Sequence, residues 1–126
     1  MRLAVSIAVL ISLVAPACCS AKGMKERTYQ RHWCARQHGV MEVVLSDRTR
    51  VDCVTEDYAV EVDFARKWAE AIGQAVYYAM RTEKRPGILL ILEDEKDRRY
   101  LERLTAVTDK LGITVWTITP GEIPDE

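Results

Sequence analysis

The chain has 126 residues, 48% hydrophobic and 29% charged, with a formal net charge of -1. This length suits one domain with a modest core, and the composition is that of a globular protein rather than a disordered or fibrous one. Near-neutrality excludes the global basic field that drives nonspecific nucleic-acid binding and leaves only local basic patches for that role.

The chain opens with "MR" and the apolar run "LAVSIAVLISLVAPA", in which Ala15 and Ala17 make an A-x-A pattern. A positive start, an apolar stretch and small residues at its end predict a secretory signal over residues 1–21, cleaved after Ala17 or Ala21. The run is short for a membrane span. "APAC", ending at Cys18, loosely resembles a lipoprotein box, which Ala15 and Pro16 fit poorly. Export to the periplasm or medium is therefore expected, with lipid anchoring the less favoured outcome. Cys18 and Cys19 fall at the processing site, whereas Cys34 and Cys53 stay in the body of the protein. An oxidising compartment favours a disulfide between these two over a pair of buried thiols. With no C-x-x-C and no Cys/His cluster, a cysteine-based metal site is not expected.

In chain order, "KERTYQRHWCARQHG" predicts a first helix with Tyr29 and Trp33 on one face and Gly39 as its stop. "VMEVVLSD", "RVDCVT" and "YAVEVDFA" predict three strands joined by turns at "SDRTR" and "EDY", an antiparallel meander. A helix begins near Arg66 and is expected to break at Pro86 and Gly87. "GILLILE" predicts a strand buried on both faces. "DEKDRRYLERLTAVTDKLG" predicts an amphipathic helix with Tyr100, Leu101, Leu104, Val107 and Leu111 inward and Gly112 as its stop. "ITVWTI" is a last strand, with Trp116 in the core. The expectation is one α/β domain over residues 24–119, ordered α-β-β-β-α-β-α-β with a mixed sheet, and a loose tail over 120–126.

Strand alternation in "AVEVDFA" puts Val60, Val62 and Phe64 on one face, and Ala59, Glu61, Asp63 and Ala65 on the other. A hairpin at "EDY" would bring Asp52 close to Glu61 or Asp63. Carboxylates gathered in this way repel unless a cation or proton intervenes, and their hard oxygens suit Mg²⁺ or Mn²⁺. On the following helix, Lys67, Ala71, Gln74 and Tyr78 share a narrow stripe beside the core-facing Trp68, Ile72, Ala75 and Ala79. Lys67, near the helix N-terminus, calls for an acidic partner such as Glu61 or Asp63. The bland alternative is a solvated acidic sheet face, with Gln74 and Tyr78 covering the sheet edge. His32, His38 and Tyr77 are expected at the surface. Arg81, Lys84 and Arg85 are solvated charge or local phosphate contacts.

This order, with an acid on the second strand, E-x-D on the third (Glu61, Asp63) and Q-x-x-x-Y on the next helix (Gln74, Tyr78), resembles the PD-(D/E)XK nuclease superfamily. The helix motif is similar to that of its RecB-like and lambda-exonuclease-like branch. The resemblance spans Glu26 to Ile118 and implies a restriction-endonuclease-like three-layer core. It also implies Mg²⁺ or Mn²⁺ held by Asp52 and Glu61, with Asp63 assisting, and a nucleic-acid substrate. Gln74 and Tyr78 would complete the pocket, and Glu26 would stand for an acid on the first helix. Where the family places lysine, two residues after Glu61, this chain has Asp63. Lys67 either replaces that lysine or leaves the fold as a non-catalytic interaction module of the cell envelope.

Overall fold

The computed structural model describes residues 23–125; the expected export signal lies outside them. They form α1 (Glu26–Arg36), β1 (Val40–Val44), β2 (Arg50–Val54), β3 (Tyr58–Phe64), α2 (Trp68–Thr82), β4 (Arg85–Ile91), α3 (Arg98–Leu111) and β5 (Thr114–Ile118). Short 3₁₀ turns cover Ala65–Lys67, Glu95–Asp97 and Pro120–Glu122. The five strands make one mixed sheet in the order β1-β2-β3-β4-β5. The first three are antiparallel, as the short hairpin turns predict, and β3, β4 and β5 run parallel. Among the described residues no helix is long and apolar enough to cross a membrane.

Alternation along β3 and β4 sorts the core into two layers. Val60, Val62, Leu89 and Ile91 pack under α1 with Tyr29, Trp33 and the Cys34–Cys53 disulfide. Ile88 and Leu90 face the other way, against Ala71 and Ala75 of α2 and Leu104 of α3. The expected disulfide thus ties α1 to β2 beneath the sheet. Gly39, just beyond α1, is required by that link. A Cβ there would lie 2.6 Å from Cys53 Sγ and 2.8 Å from Cys34 Sγ. The left-handed turn that ends the helix falls instead on His38 (φ 53°).

Four expectations are corrected. Pro86 and Gly87 do not end α2; they lie inside β4, and the helix stops at Glu83 in a left-handed conformation whose N–H donates to Ala79 O. Pro86 is tolerated because the ladder to β5 begins only at Gly87, so no N–H is demanded on that side. Leu111 is 55% exposed, and Thr108 takes the inward position on α3. The tail is not loose. Thr119 and Glu122 form a reciprocal capping box over the Pro120 turn, and Ile123 packs onto the α1 layer. Trp116 is only partly buried, lying over Gly87 and against Trp33 and Tyr58.

Candidate acidic site

The acidic site lies where the side chains of β1 and β2 switch faces. Residues two apart on a strand normally share a face, yet Cys53 packs under α1 while Val51 packs against Tyr78 of α2. The same switch separates Met41 from Val43 on β1. Between them, Glu42 adopts a positive φ of 57°, an uncommon conformation for a side chain bearing a Cβ. Glu42 lies opposite Asp52, since Met41 pairs with Cys53 and Val43 with Val51. This disturbance has the character of a bulge: it re-aims side chains and interrupts pairing.

The gap is filled by a side chain. Cys53 pairs with Val60, which sets Asp52 across from Glu61. There the Asp52 carboxylate takes the place of a backbone carbonyl, and Val62 N donates to Asp52 Oδ2 at 2.8 Å. Asp52 therefore reaches the neighbourhood of Glu61, as the hairpin predicts, but from within the interstrand gap.

Glu61 and Asp63 are 5% and 3% exposed. Burial, then the charges of Asp52 and Asp63, push the Glu61 carboxyl up to about 10. Burial also raises Asp52 to about 6, against the opposing effect of the Val62 N–H. Asp63 is raised to about 6 by burial, with Lys67 pulling the other way. Lys67 Nζ lies 3.5 Å from Asp63 Oδ1 and is 47% exposed, so one carboxylate of the cluster carries a half-solvated counter-ion. Glu26, on the first turn of α1, is raised by burial and by the charge of Asp52, with Lys67 pulling the other way.

The helix stripe arrives at the same place. Tyr78 is buried, and its hydroxyl is raised by burial and by the charge of Glu61. Asp52, Glu61, Asp63, Lys67 and Tyr78 thus form one electrostatically linked cluster, with Gln74 one turn before Tyr78 on α2. Lys67 enters it from the 3₁₀ turn before α2 rather than from the helix. The basic residues considered for phosphate contact serve local structure. Arg81 donates to Ser46, Lys84 donates to Glu56 O, and Arg85 lies over Tyr58. Tyr77 donates to Asp47 and joins the β1–β2 turn to α2.

Two residues that the motif pattern does not single out belong to the pocket. Gln30 Nε2 donates to Asp52 O and to Glu42 Oε1, each at 2.8 Å. Glu42 Oε2 lies 2.6 Å from Arg50 Nε, an ion contact whose angles fall short of a hydrogen bond. A helical signal for Gln30 does exist: Glu26, Gln30 and Cys34 follow at intervals of four, and Cys34 fixes which face of α1 meets β2. No comparable pattern marks Glu42.

The donor set is chemically suited to a hard cation, because every anionic group is a carboxylate. Among the described residues no three His, Cys, Asp or Glu side chains are disposed to surround a metal ion. Asp52 is engaged by Val62 and Asp63 by Lys67. A pair of carboxylates is nevertheless sufficient for Mg²⁺, which keeps several of its waters. A separate cleft of about 430 Å³ between α1 and β5, lined by His32, Trp33, Arg36 and Trp116 among others, includes none of the acidic residues. Comparison with protein-family models, curated proteins and solved structures gave no match to this chain.

Proposed function

We propose that the pocket belongs to a restriction-endonuclease-like phosphodiesterase of the PD-(D/E)XK type, exported and acting on nucleic acid. The observation that carries this reading is the burial of Glu61 and Asp63 beside the half-buried Asp52, which lies across from Glu61, with Lys67 at 3.5 Å from Asp63. Burying carboxylates within reach of one another is unfavourable, and such strained titration clusters concentrate at functional sites. Asp52 and Glu61, with Asp63 assisting, would hold Mg²⁺ or Mn²⁺, whose chemistry when bound is to lower the pKa of a water and offset charge on a scissile phosphate. Lys67, half-exposed at the rim, is suited to orient a water or to stabilise developing negative charge. Tyr78, buried and sensing the charge of Glu61, and Gln74 would complete the site from α2.

A second reading has its own observation. Asp63 occupies the position of the family's lysine, and the Lys67 ammonium is already committed to it. That arrangement suits a non-catalytic descendant that keeps the fold as an interaction module.

The test is cleavage of linear, circular and single-stranded DNA and of RNA by the oxidised protein with Mg²⁺ or Mn²⁺. Cleavage should fall about 100-fold or more in Glu61→Gln and in Lys67→Ala. Cleavage unaffected by Glu61→Gln removes the assigned site. No cleavage of any substrate, with no Mn²⁺ binding by calorimetry, removes the enzyme.

A further inference from the structure

We infer that Gln30 and Glu42 are positioning residues that set the Asp52 carboxylate in the gap of the sheet. The inference deepens the proposed function and rests on it for its catalytic meaning, though its geometry stands alone. Gln30 is 3% exposed, and its single amide group donates twice, to Asp52 O and to Glu42 Oε1. An amide has two N–H donors, so both are satisfied by this pair of contacts. Glu42 meanwhile holds its positive φ where β1 and β2 switch faces.

The chain of contacts has a direction. Gln30 draws the Asp52 carbonyl toward α1. With that peptide oriented, the Asp52 side chain turns into the gap, where it takes the Val62 N–H at 2.8 Å. Val62 is flanked in sequence by Glu61 and Asp63, so the same bond fixes the strand that carries both of the other acids. Outer-shell partners of this kind orient metal-ligating groups, and losing one typically costs about 10- to 100-fold in affinity or activity. Arg50, on the far side of Glu42, holds that carboxylate in place through an ion contact of 2.6 Å.

A swap separates positioning from a simple tether between α1 and β1. In the double variant Gln30→Glu with Glu42→Gln, the side-chain pair is restored with donor and acceptor exchanged. The residue at position 30 then has no N–H for Asp52 O and sets an acceptor against it. A tether would be rescued by the swap, whereas positioning would not.

The experiment uses the oxidised protein with near-ultraviolet dichroism as the control for folding, and Glu42→Gln as the milder variant should Gln30→Leu fail to fold. Two readouts are taken: the ¹⁵N–¹H resonance and exchange rate of the Val62 amide, and kcat with KM for cleavage in Mn²⁺. Gln30→Leu should move the Val62 resonance, speed its exchange about tenfold or more, and lower kcat about 10- to 100-fold with little change in KM. The swap should resemble Gln30→Leu. An unchanged Val62 amide in both single variants overturns the inference, as does a swap that restores wild-type values. Should the wild type cut nothing, the Val62 amide still decides the positioning while the proposed function alone fails.

Discussion

The carboxylate of Asp52 and the backbone N–H of Val62 form a rung of the sheet that no pair of backbone groups supplies. A side chain that completes a ladder has a structural duty apart from any chemical one, and the two duties are separable by substitution. Asp52→Asn retains an oxygen able to accept from Val62 and should fold with nearly wild-type stability while losing cation affinity. Asp52→Leu leaves the N–H of the buried Val62 unsatisfied and should cost about 1–3 kcal/mol in urea unfolding. Equal stability of the two variants would contradict the ladder role.

The acidic cluster makes stability fall as pH rises. Asp52 and Asp63 are raised from 3.8 to about 6, and Glu61 from 4.5 to about 10, so the folded state holds more protons than the unfolded state. Their favourable contribution is complete below the unfolded values and is lost as pH climbs through the folded ones. Without divalent cation, unfolding free energy should decline first between about pH 4 and 6, then more gradually toward alkaline pH. The Glu61 contribution alone has a limiting slope of about 1.4 kcal/mol per pH unit. Glu61→Gln should flatten the decline above pH 6, and a variant that tracks the wild type across that range would refute the assignment.

Gly39 and the disulfide occupy the same space, and their substitutions should therefore be non-additive. Gly39→Ala forces a methyl group against both sulfurs and should destabilise the oxidised protein by about 1–3 kcal/mol. In a Cys34→Ala, Cys53→Ala background the same change should cost markedly less. Equal penalties in the two backgrounds, measured by thermal unfolding, would contradict the contact.

Removing the disulfide itself should cost about 3 kcal/mol, given a separation of 19 residues. Denaturant titrations of the oxidised protein and of the Cys34→Ala, Cys53→Ala variant measure this, and a difference near zero would contradict it.

Much of the pocket was legible because period carries direction. The alternation of Val60, Val62 and Phe64 with Glu61 and Asp63 predicts the two faces of β3, and the structure has both valines under α1 and both acids opposite. The spacing of Lys67, Gln74 and Tyr78 likewise brings the helix stripe to the acids. What pattern could not supply were local exceptions to period. Glu42 takes a left-handed conformation without being glycine, at the point where the faces of β1 and β2 switch. Pro86 looked like a helix breaker because its missing N–H is costly in most strands. Here the neighbouring strand begins one residue later, so nothing is missing. Leu111, apolar and in phase with the inward face of α3, is nevertheless exposed in its last turn, while the polar Thr108 is buried, so apolarity alone does not enforce burial there.

The α1 helix is clasped to β2 twice, by Cys34 to Cys53 and one turn earlier by Gln30 to the backbone of Asp52. The clasps are adjacent in both elements yet respond to different agents, one to reductant and the other to competition from water. A covalent clasp beside a polar one holds the amide within reach of its carbonyl after each local opening, so the hydrogen bond re-forms without a search. Oxidation of two sulfurs thus limits how far α1 can part from β2 beside the neighbouring acid.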